Sequence, residues 1–92
     1  MDRAWAEVRR LMGVNARHRA GWRLGEASPE LSLKNAAQEL IELAGAEAAG
    51  NDRLGELADV FGCLIVYAVK GGWPAECVEE ALLAKLAARF SG

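Results

Sequence analysis

The segment AAQELIELAGAEAAGNDRLGELADVFGCLIVYAV, residues 36–69, decides the fold of this chain. It predicts two helices, because long alanine- and leucine-rich runs flank a short Gly-Asn-Asp turn at residues 50–52. Asn51 or Asp52 can cap the second of these helices. Helices joined by so short a turn pack antiparallel as neighbours. The segment also carries two pairs of carboxylates, each spaced by three residues: Glu39 with Glu42, and Glu56 with Asp59.

Turn-forming residues outside this segment mark two further helices. Ser32 is a plausible N-cap for the helix that precedes the turn, and Gly71-Gly72 ends the helix that follows it. Pro74 suits the first turn of a last helix. We therefore predict helices over about residues 2–19, 32–49, 53–70 and 74–90. They form an antiparallel bundle that is complete within one chain or shared across a dimer.

Length and composition indicate one small helical domain, residues 1–92. The chain is 52% hydrophobic and 26% charged, as expected of an ordered globular protein. Because so small a domain buries little surface by itself, we expect it to form a homodimer or homotetramer. We also expect a cytoplasmic protein without a membrane span, since the longest uncharged stretch, residues 60–69, is half the length of a span.

Charge is unevenly distributed along the chain. Residues 1–23 hold six arginines against two acidic residues, whereas the remainder holds five basic and eleven acidic residues. A basic N-terminal helix can contact nucleic acid. The favoured interpretation is a solvated helix face, because no nucleic-acid-binding motif accompanies the arginines. Nucleic acid is therefore the less favoured partner.

Asp59 occupies an unusual position for an acidic residue. In each of the two pairs, the carboxylates lie three residues apart and share one face of their helix. On the third helix, Asp59 is followed by an apolar run with no further charge until Lys70. A helix that is apolar on every side is normally buried. We therefore predict that Asp59 lies in or near the interior.

A divalent cation is the best explanation for the two pairs together. Burying an unpaired carboxylate costs several kcal/mol, and no lysine or arginine occurs between Arg53 and Lys70 to neutralise it. By themselves, the two glutamates of the second helix would indicate a solvent-exposed face. The predicted burial of Asp59 is what favours a metal site. Oxygen-only ligation favours Mg²⁺, with Mn²⁺ as the alternative. The predicted metal ligands are Glu39, Glu42, Glu56 and Asp59.

These residues resemble a known family. The sequence QELIE at residues 38–42, followed after thirteen residues by ELAD at 56–59, is similar to the EExxE…ExxD motif of the MazG-like all-α nucleoside triphosphate pyrophosphohydrolases. The resemblance covers roughly residues 20–90. It implies an all-α, four-helix antiparallel bundle of the MazG-like type, completed by oligomerisation, with residues 32–90 as its metal-binding core and residues 1–23 as a basic N-terminal helix.

The resemblance also implies an activity. Family members cleave a nucleotide between its α- and β-phosphates in a Mg²⁺-dependent reaction that gives a monophosphate and pyrophosphate. The implied catalytic residues are Gln38 and Glu39. Gln38 departs from the family motif, which has a glutamate there, and a carboxamide can orient a water molecule but cannot accept its proton. Either the metal activates the water without it, another carboxylate takes the proton, or the activity is weak or lost.

The resemblance also implies substrate-binding residues, but these matches are less specific than the metal-binding motif. The implied set is His18, Trp22, Lys34, Lys85 and Arg89. The aromatic residues lie where relatives place groups against the base, although core packing is an alternative for Trp22. The three basic residues match phosphate-contacting positions, but each is also an ordinary charge near a helix end.

Two alternatives to a (d)NTP pyrophosphohydrolase stay open. One is a phosphoribosyl-ATP pyrophosphohydrolase of the same fold, which the position of Lys34 favours. The other is a non-catalytic helical module that binds nucleotide or only oligomerises, which Gln38 favours.

Overall fold

The computed structural model describes residues 1–14, 16–17, 23–26 and 28–90. Four α-helices and a short 3₁₀ helix, Leu24–Glu26, account for most of these residues; the α-helices are α1 (Asp2–Gly13), α2 (Pro29–Ala49), α3 (Arg53–Lys70) and α4 (Ala75–Phe90). Within the described ranges there is no strand, only a single backbone bridge between Arg17 and Arg23. The prediction of an all-α fold is confirmed. No helix in these ranges is long and apolar enough to cross a membrane.

Helices α2 and α3 form the predicted hairpin, and they pack against each other along their length. Gly50 ends α2 in the left-handed conformation, with φ of 72°, which glycine adopts without steric cost. The Asp52 side chain accepts a hydrogen bond from the Gly55 N–H at 3.0 Å and so caps α3. The predicted bounds of α3, residues 53–70, agree with the structure.

The predicted starting point of α2 is wrong. The helix begins at Pro29, and Ser28 is the N-cap residue, whose Oγ accepts a hydrogen bond from the Leu31 N–H at 3.0 Å. Pro29 favours this earlier start, because its fixed φ is already helical and its missing N–H needs no partner at the first helical position. Ser32 therefore lies inside the helix rather than at its end.

Helix α1 is shorter than predicted and ends at Gly13. The Val14 N–H still bonds to the Arg10 carbonyl oxygen, but the Leu24 N–H then donates to the Ala16 carbonyl oxygen at 2.8 Å. The backbone at Ala16 therefore bonds to a residue eight positions further along the chain instead of continuing the helix. Glycine at the end of the helix lowers the cost of that departure.

The apolar core lies where α1, α3 and the start of α4 meet. Its buried members are Trp5, Ile65, Ala68 and Ala75, with Ala4, Val8 and Val69 packed around them. The Trp5 indole N–H donates a hydrogen bond to the Trp73 carbonyl oxygen at 3.0 Å. This bond joins the first helix to the turn before α4.

Helix α4 leaves the core after its first residue. Ala75 is its one buried residue, and residues 76–90 are all exposed. The exposed side chains include large apolar ones: Val78, Leu82, Leu83, Leu86 and Phe90. Of the two predicted arrangements, a bundle closed within a single chain is therefore not formed by the described residues.

Candidate metal centre

Three carboxylates converge beside the α2–α3 hairpin. Glu39 of α2 and the α3 residues Glu56 and Asp59 each offer an oxygen, and these atoms all lie within 4.8 Å of one another. The convergence follows from the short turn, because it sets residues before and after it at similar heights on adjacent helices. Such a group of oxygens can hold a hard divalent cation.

The environment of Asp59 differs from the prediction. Asp59 is exposed, whereas Glu39 and Glu56 are half-buried. The apolar run that follows Asp59 is only partly buried: Val60 and Val66 are covered, while Phe61 is 45% exposed. A single chain therefore leaves part of α3 in solvent, and Asp59 lies at the mouth of a cavity rather than in the interior.

The acidic group raises the pKa of its own members. The pKa of Glu39 rises from 4.5 to about 7, because of a side-chain hydrogen bond with Glu42, then desolvation, then the nearby charges of Glu42, Asp59 and Glu56. The pKa of Glu56 is also raised, first by desolvation and then by neighbouring carboxylates. Without a cation, the cluster therefore resists carrying its full negative charge at neutral pH.

Two oxygens of the cluster lack the partners that a buried carboxylate needs. Glu39 Oε2 and Glu56 Oε2 are both inaccessible to solvent, and neither has a hydrogen-bond partner among the described residues. A buried charged acceptor without a donor is costly. A divalent cation between the carboxylates would satisfy both oxygens and reverse the repulsion, so the residues present fit such an ion.

Glu42 occupies a different place from the other three predicted ligands. It is exposed and lies outside the group of oxygens within 4.8 Å, but it lines the same cavity and lies near enough to Glu39 to raise the pKa of that carboxyl group. Gln38 also lines this cavity, next to Glu39. Five predicted site residues are therefore brought together: Gln38, Glu39, Glu42, Glu56 and Asp59.

The cavity beside these residues has a volume of about 630 Å³ and lies between α1, α2 and α3. Its polar side is the carboxylate cluster. Its apolar side is formed by Val8 and Leu11 of α1, Leu24 of the 3₁₀ helix and Val66 of α3. The Lys70 ammonium donates a hydrogen bond to the Gly25 carbonyl oxygen at 3.1 Å, which fastens the 3₁₀ helix to α3.

The remaining predicted site residues are not brought to the cavity within one chain. Lys34, Lys85 and Arg89 are exposed, and none of them lines its wall. Their predicted phosphate contacts stay predictions. His18 and Trp22 lie outside the described residues.

Three cavity residues with a polar or thiol side chain were not predicted as site residues. Ser32 and Asn35 line the wall on α2, and Cys63 lines it on α3. Desolvation, and then the charges of Glu39 and Asp59, raises the pKa of the Cys63 thiol and keeps it protonated. The helical spacing of residues 32, 35 and 39 could have predicted that Ser32 and Asn35 lie near the site, because it sets all three residues on one face of α2. The mistaken N-cap assignment of Ser32 concealed it.

A scan against protein-family models and searches of curated proteins and of solved structures each found no match to this chain. The functional interpretation therefore depends on the residues that line the cavity and on the environment of each carboxylate.

Proposed function

We propose that this chain is a Mg²⁺-dependent nucleotide pyrophosphohydrolase of the MazG-like type. Its substrate is a (d)NTP or a related nucleotide, which it cleaves to the monophosphate and pyrophosphate. One observation carries the proposal: carboxylate oxygens of Glu39, Glu56 and Asp59 lie within 4.8 Å of one another beside a cavity. The orphaned oxygens of the two glutamates support it, since they suit a bound cation.

The proposed metal ligands are Glu39, Glu56 and Asp59, with Glu42 adjacent to them. Mg²⁺, or Mn²⁺ in its place, would supply charge neutralisation of the phosphates and acidification of the attacking water. The three ligands come from two helices that pack against each other along their length. This rigid support holds the oxygens close together despite their mutual repulsion.

Gln38 and Glu42 have complementary parts in the proposed reaction. The Gln38 carboxamide lines the cavity beside Glu39 and orients the attacking water by hydrogen bonding. It cannot take the proton that this water releases. Glu42 accepts that proton, because it faces the same cavity yet lies outside the group of three closely spaced oxygens.

A second copy of the chain is the proposed partner. A groove of about 500 Å³ runs between α3 and α4, and its lining includes the apolar side chains Phe61, Leu64, Val78 and Leu82. We call these four residues the α3–α4 surface. An exposed apolar surface of this kind marks an interaction site, and a homodimer or homotetramer would cover it.

Two other functions have a specific feature in their favour. The non-catalytic alternative, a helical module that binds nucleotide without cleaving it, is favoured by Gln38 in place of a carboxylate. The phosphoribosyl-ATP alternative is favoured by Lys34, one helical turn before Gln38. Measured nucleotide turnover distinguishes the non-catalytic module from the leading proposal. Competition between phosphoribosyl-ATP and (d)NTPs as substrates distinguishes the phosphoribosyl-ATP alternative from it.

The decisive experiment measures pyrophosphate release from a panel of nucleotides, with Mg²⁺ and with EDTA. We expect Mg²⁺-dependent release from at least one nucleotide, and its loss in Glu56→Gln. Glu80→Gln is the matched control, because Glu80 is an exposed acid on α4, away from the cavity. No turnover by folded, Mg²⁺-loaded wild-type protein on any nucleotide would overturn the enzymatic proposal.

A further inference from the structure

The cavity contains a second polar feature, away from the carboxylates. The Ser32 residue is only 2% exposed, and its Oγ has no hydrogen-bond partner among the described residues, yet it lines the cavity. Buried hydroxyls in proteins are normally hydrogen-bonded, because an unmade bond destabilises the folded state. An orphaned hydroxyl on a cavity wall therefore suggests that its partner is a ligand.

A structural role for Ser32 finds no support in its surroundings. Capping of α2 is already provided by Ser28, whose Oγ accepts the Leu31 N–H. Alanine would fill the same helical position without leaving a buried hydroxyl, and it is the better helix former. The serine is thus unfavourable for the free protein as it stands.

The residues that line the cavity together with Ser32 define the chemistry of a ligand that would suit it. Val8, Leu11 and Leu24 supply apolar walls, and Asn35, half-buried one turn along α2, supplies a carboxamide. Hydroxyl and carboxamide groups each donate and accept hydrogen bonds but carry no charge. This combination suits a flat, uncharged heterocycle that packs its faces on apolar side chains and presents a polar edge.

The position of Ser32 relative to the carboxylates fits one extended ligand. Ser32 and Glu39 are seven residues apart on α2, which corresponds to about 10 Å along the helix axis. The apolar end of the cavity and the cation-binding end are therefore separate but continuous. A nucleotide has the same division, with an uncharged base at one end and phosphates at the other.

We infer that Ser32 and Asn35 form the nucleobase subsite of this cavity, with the Ser32 hydroxyl bonding to the polar edge of the base. The inference rests on the proposed nucleotide substrate and adds the residues that determine its selectivity. Ser32 then lowers the stability of the free protein, because its partner is present only in the complex. Base selectivity arises from the α1–α2 side of the cavity, whereas the phosphates bind at the α2–α3 side.

The test uses nucleosides, which lack phosphate and need no metal. Affinities of adenosine, guanosine, cytidine, uridine and thymidine are measured by ligand-observed NMR in EDTA, for the wild type and Ser32→Ala. We expect at least one nucleoside to bind, and the alanine variant to bind it roughly five- to tenfold more weakly. The same substitution should raise the melting temperature of the free protein, so that stability and affinity change in opposite directions.

Ser28→Ala is the matched control on the same helix. Loss of the N-cap bond should lower the melting temperature and leave nucleoside affinity unchanged. Asn35→Ala provides a second, independent measurement should Ser32→Ala fail to fold, and it should also weaken nucleoside binding. Ribose 5-phosphate with Mg²⁺ should bind the wild type and Ser32→Ala equally, since it has no base.

The outcomes separate this inference from the proposed function. Absence of binding by every nucleoside, or equal affinity of the wild type and both alanine variants, would overturn the subsite. Nucleoside binding that depends on Ser32, in a protein that releases no pyrophosphate, would support the subsite and contradict the enzymatic proposal alone. Pyrophosphate release that neither alanine variant alters would support the enzymatic proposal and contradict the subsite.

Discussion

Glu39 on α2 and Asp59 on α3 bring carboxylate oxygens within 4.8 Å of each other across the helical hairpin. Neither residue forms an ion pair within the part of the chain that the structure describes. The ion pairs found there join Glu7 to Arg10 and Glu47 to Arg53. The two closest-packed helices of the chain thus hold like charges together. A cation at this point would convert a repulsive contact into a stabilising one.

Metal binding should therefore stabilise the folded chain. With Mg²⁺ at about one hundred times its Kd, the free energy of unfolding should rise by about 2.7 kcal/mol, as measured by urea denaturation. Glu56→Gln and Asp59→Asn should lose most of this increase, whereas Glu80→Gln should keep it. A wild-type protein whose unfolding is indifferent to both Mg²⁺ and Mn²⁺ would contradict the metal centre.

The pKa of Glu39 makes a specific prediction for pH. Because its pKa is about 7 in the folded chain against an ordinary 4.5, the folded state binds the proton more tightly than the unfolded state. The contribution of Glu39 to the stability of the metal-free protein should therefore be fully present below about pH 4.5, and it should be lost as the pH rises to about 7.

Glu39→Gln isolates this contribution, because the carboxamide resembles the protonated side chain. In EDTA, the variant should be more stable than the wild type at pH 8, and the difference should shrink at pH 5. Urea denaturation at both pH values measures the comparison. A difference that does not depend on pH would exclude Glu39 as the titrating group.

The α3–α4 surface makes a prediction for assembly. Leu82 is 54% exposed and lines the groove between the helices, so Leu82→Glu should weaken self-association by adding charge to an apolar interface. Sedimentation velocity should show a smaller species than the wild type at equal concentration. Ala84→Glu is the control, since residue 84 lies on the opposite side of α4. A wild-type protein that stays monomeric at all concentrations would rule out this interface.

The tryptophan contact makes a prediction for stability. Trp5→Phe removes the indole N–H that donates to the Trp73 carbonyl oxygen at 3.0 Å, and it removes volume from the buried core. The free energy of unfolding should fall by about 1–3 kcal/mol. Trp73→Phe keeps the carbonyl oxygen and should cost less, because that ring is 47% exposed. Chemical denaturation followed by circular dichroism compares the two.

Gly45 inside α2 and Gly50 directly after it should respond in opposite directions to alanine. Gly45 lies inside the helix with nothing within 4 Å of an added Cβ, so Gly45→Ala should stabilise the chain by about 1 kcal/mol. Gly50 has φ of 72°, where a side chain is strained, so Gly50→Ala should destabilise it by about 1 kcal/mol. Thermal unfolding of the two variants checks the sign of each change.

Local signals in the sequence predicted the hairpin and the spacing of its acidic residues. Asp52 and Gly50 have the capping roles expected of their residue types, and α3 has its predicted bounds. The starting residue of α2 was missed because residues 28 and 32 are both serine, a residue type that commonly caps helices. The structure chooses Ser28, next to Pro29.

The sequence by itself determined that the carboxylates of α2 and α3 lie at similar heights along the hairpin, because helical periodicity and a three-residue turn fix the relative heights of side chains on adjacent helices. Only the tertiary structure decided which of them converge, with Glu42 outside the group of Glu39, Glu56 and Asp59, and how each is buried. Asp59 is exposed and Ser32 is enclosed, although the sequence suggested a buried aspartate and a terminal serine. Burial depends on which faces other elements cover, and α4 turns away from α3 while α1 and the 3₁₀ helix close the cavity over α2. That non-local packing has no counterpart in the local pattern of residues.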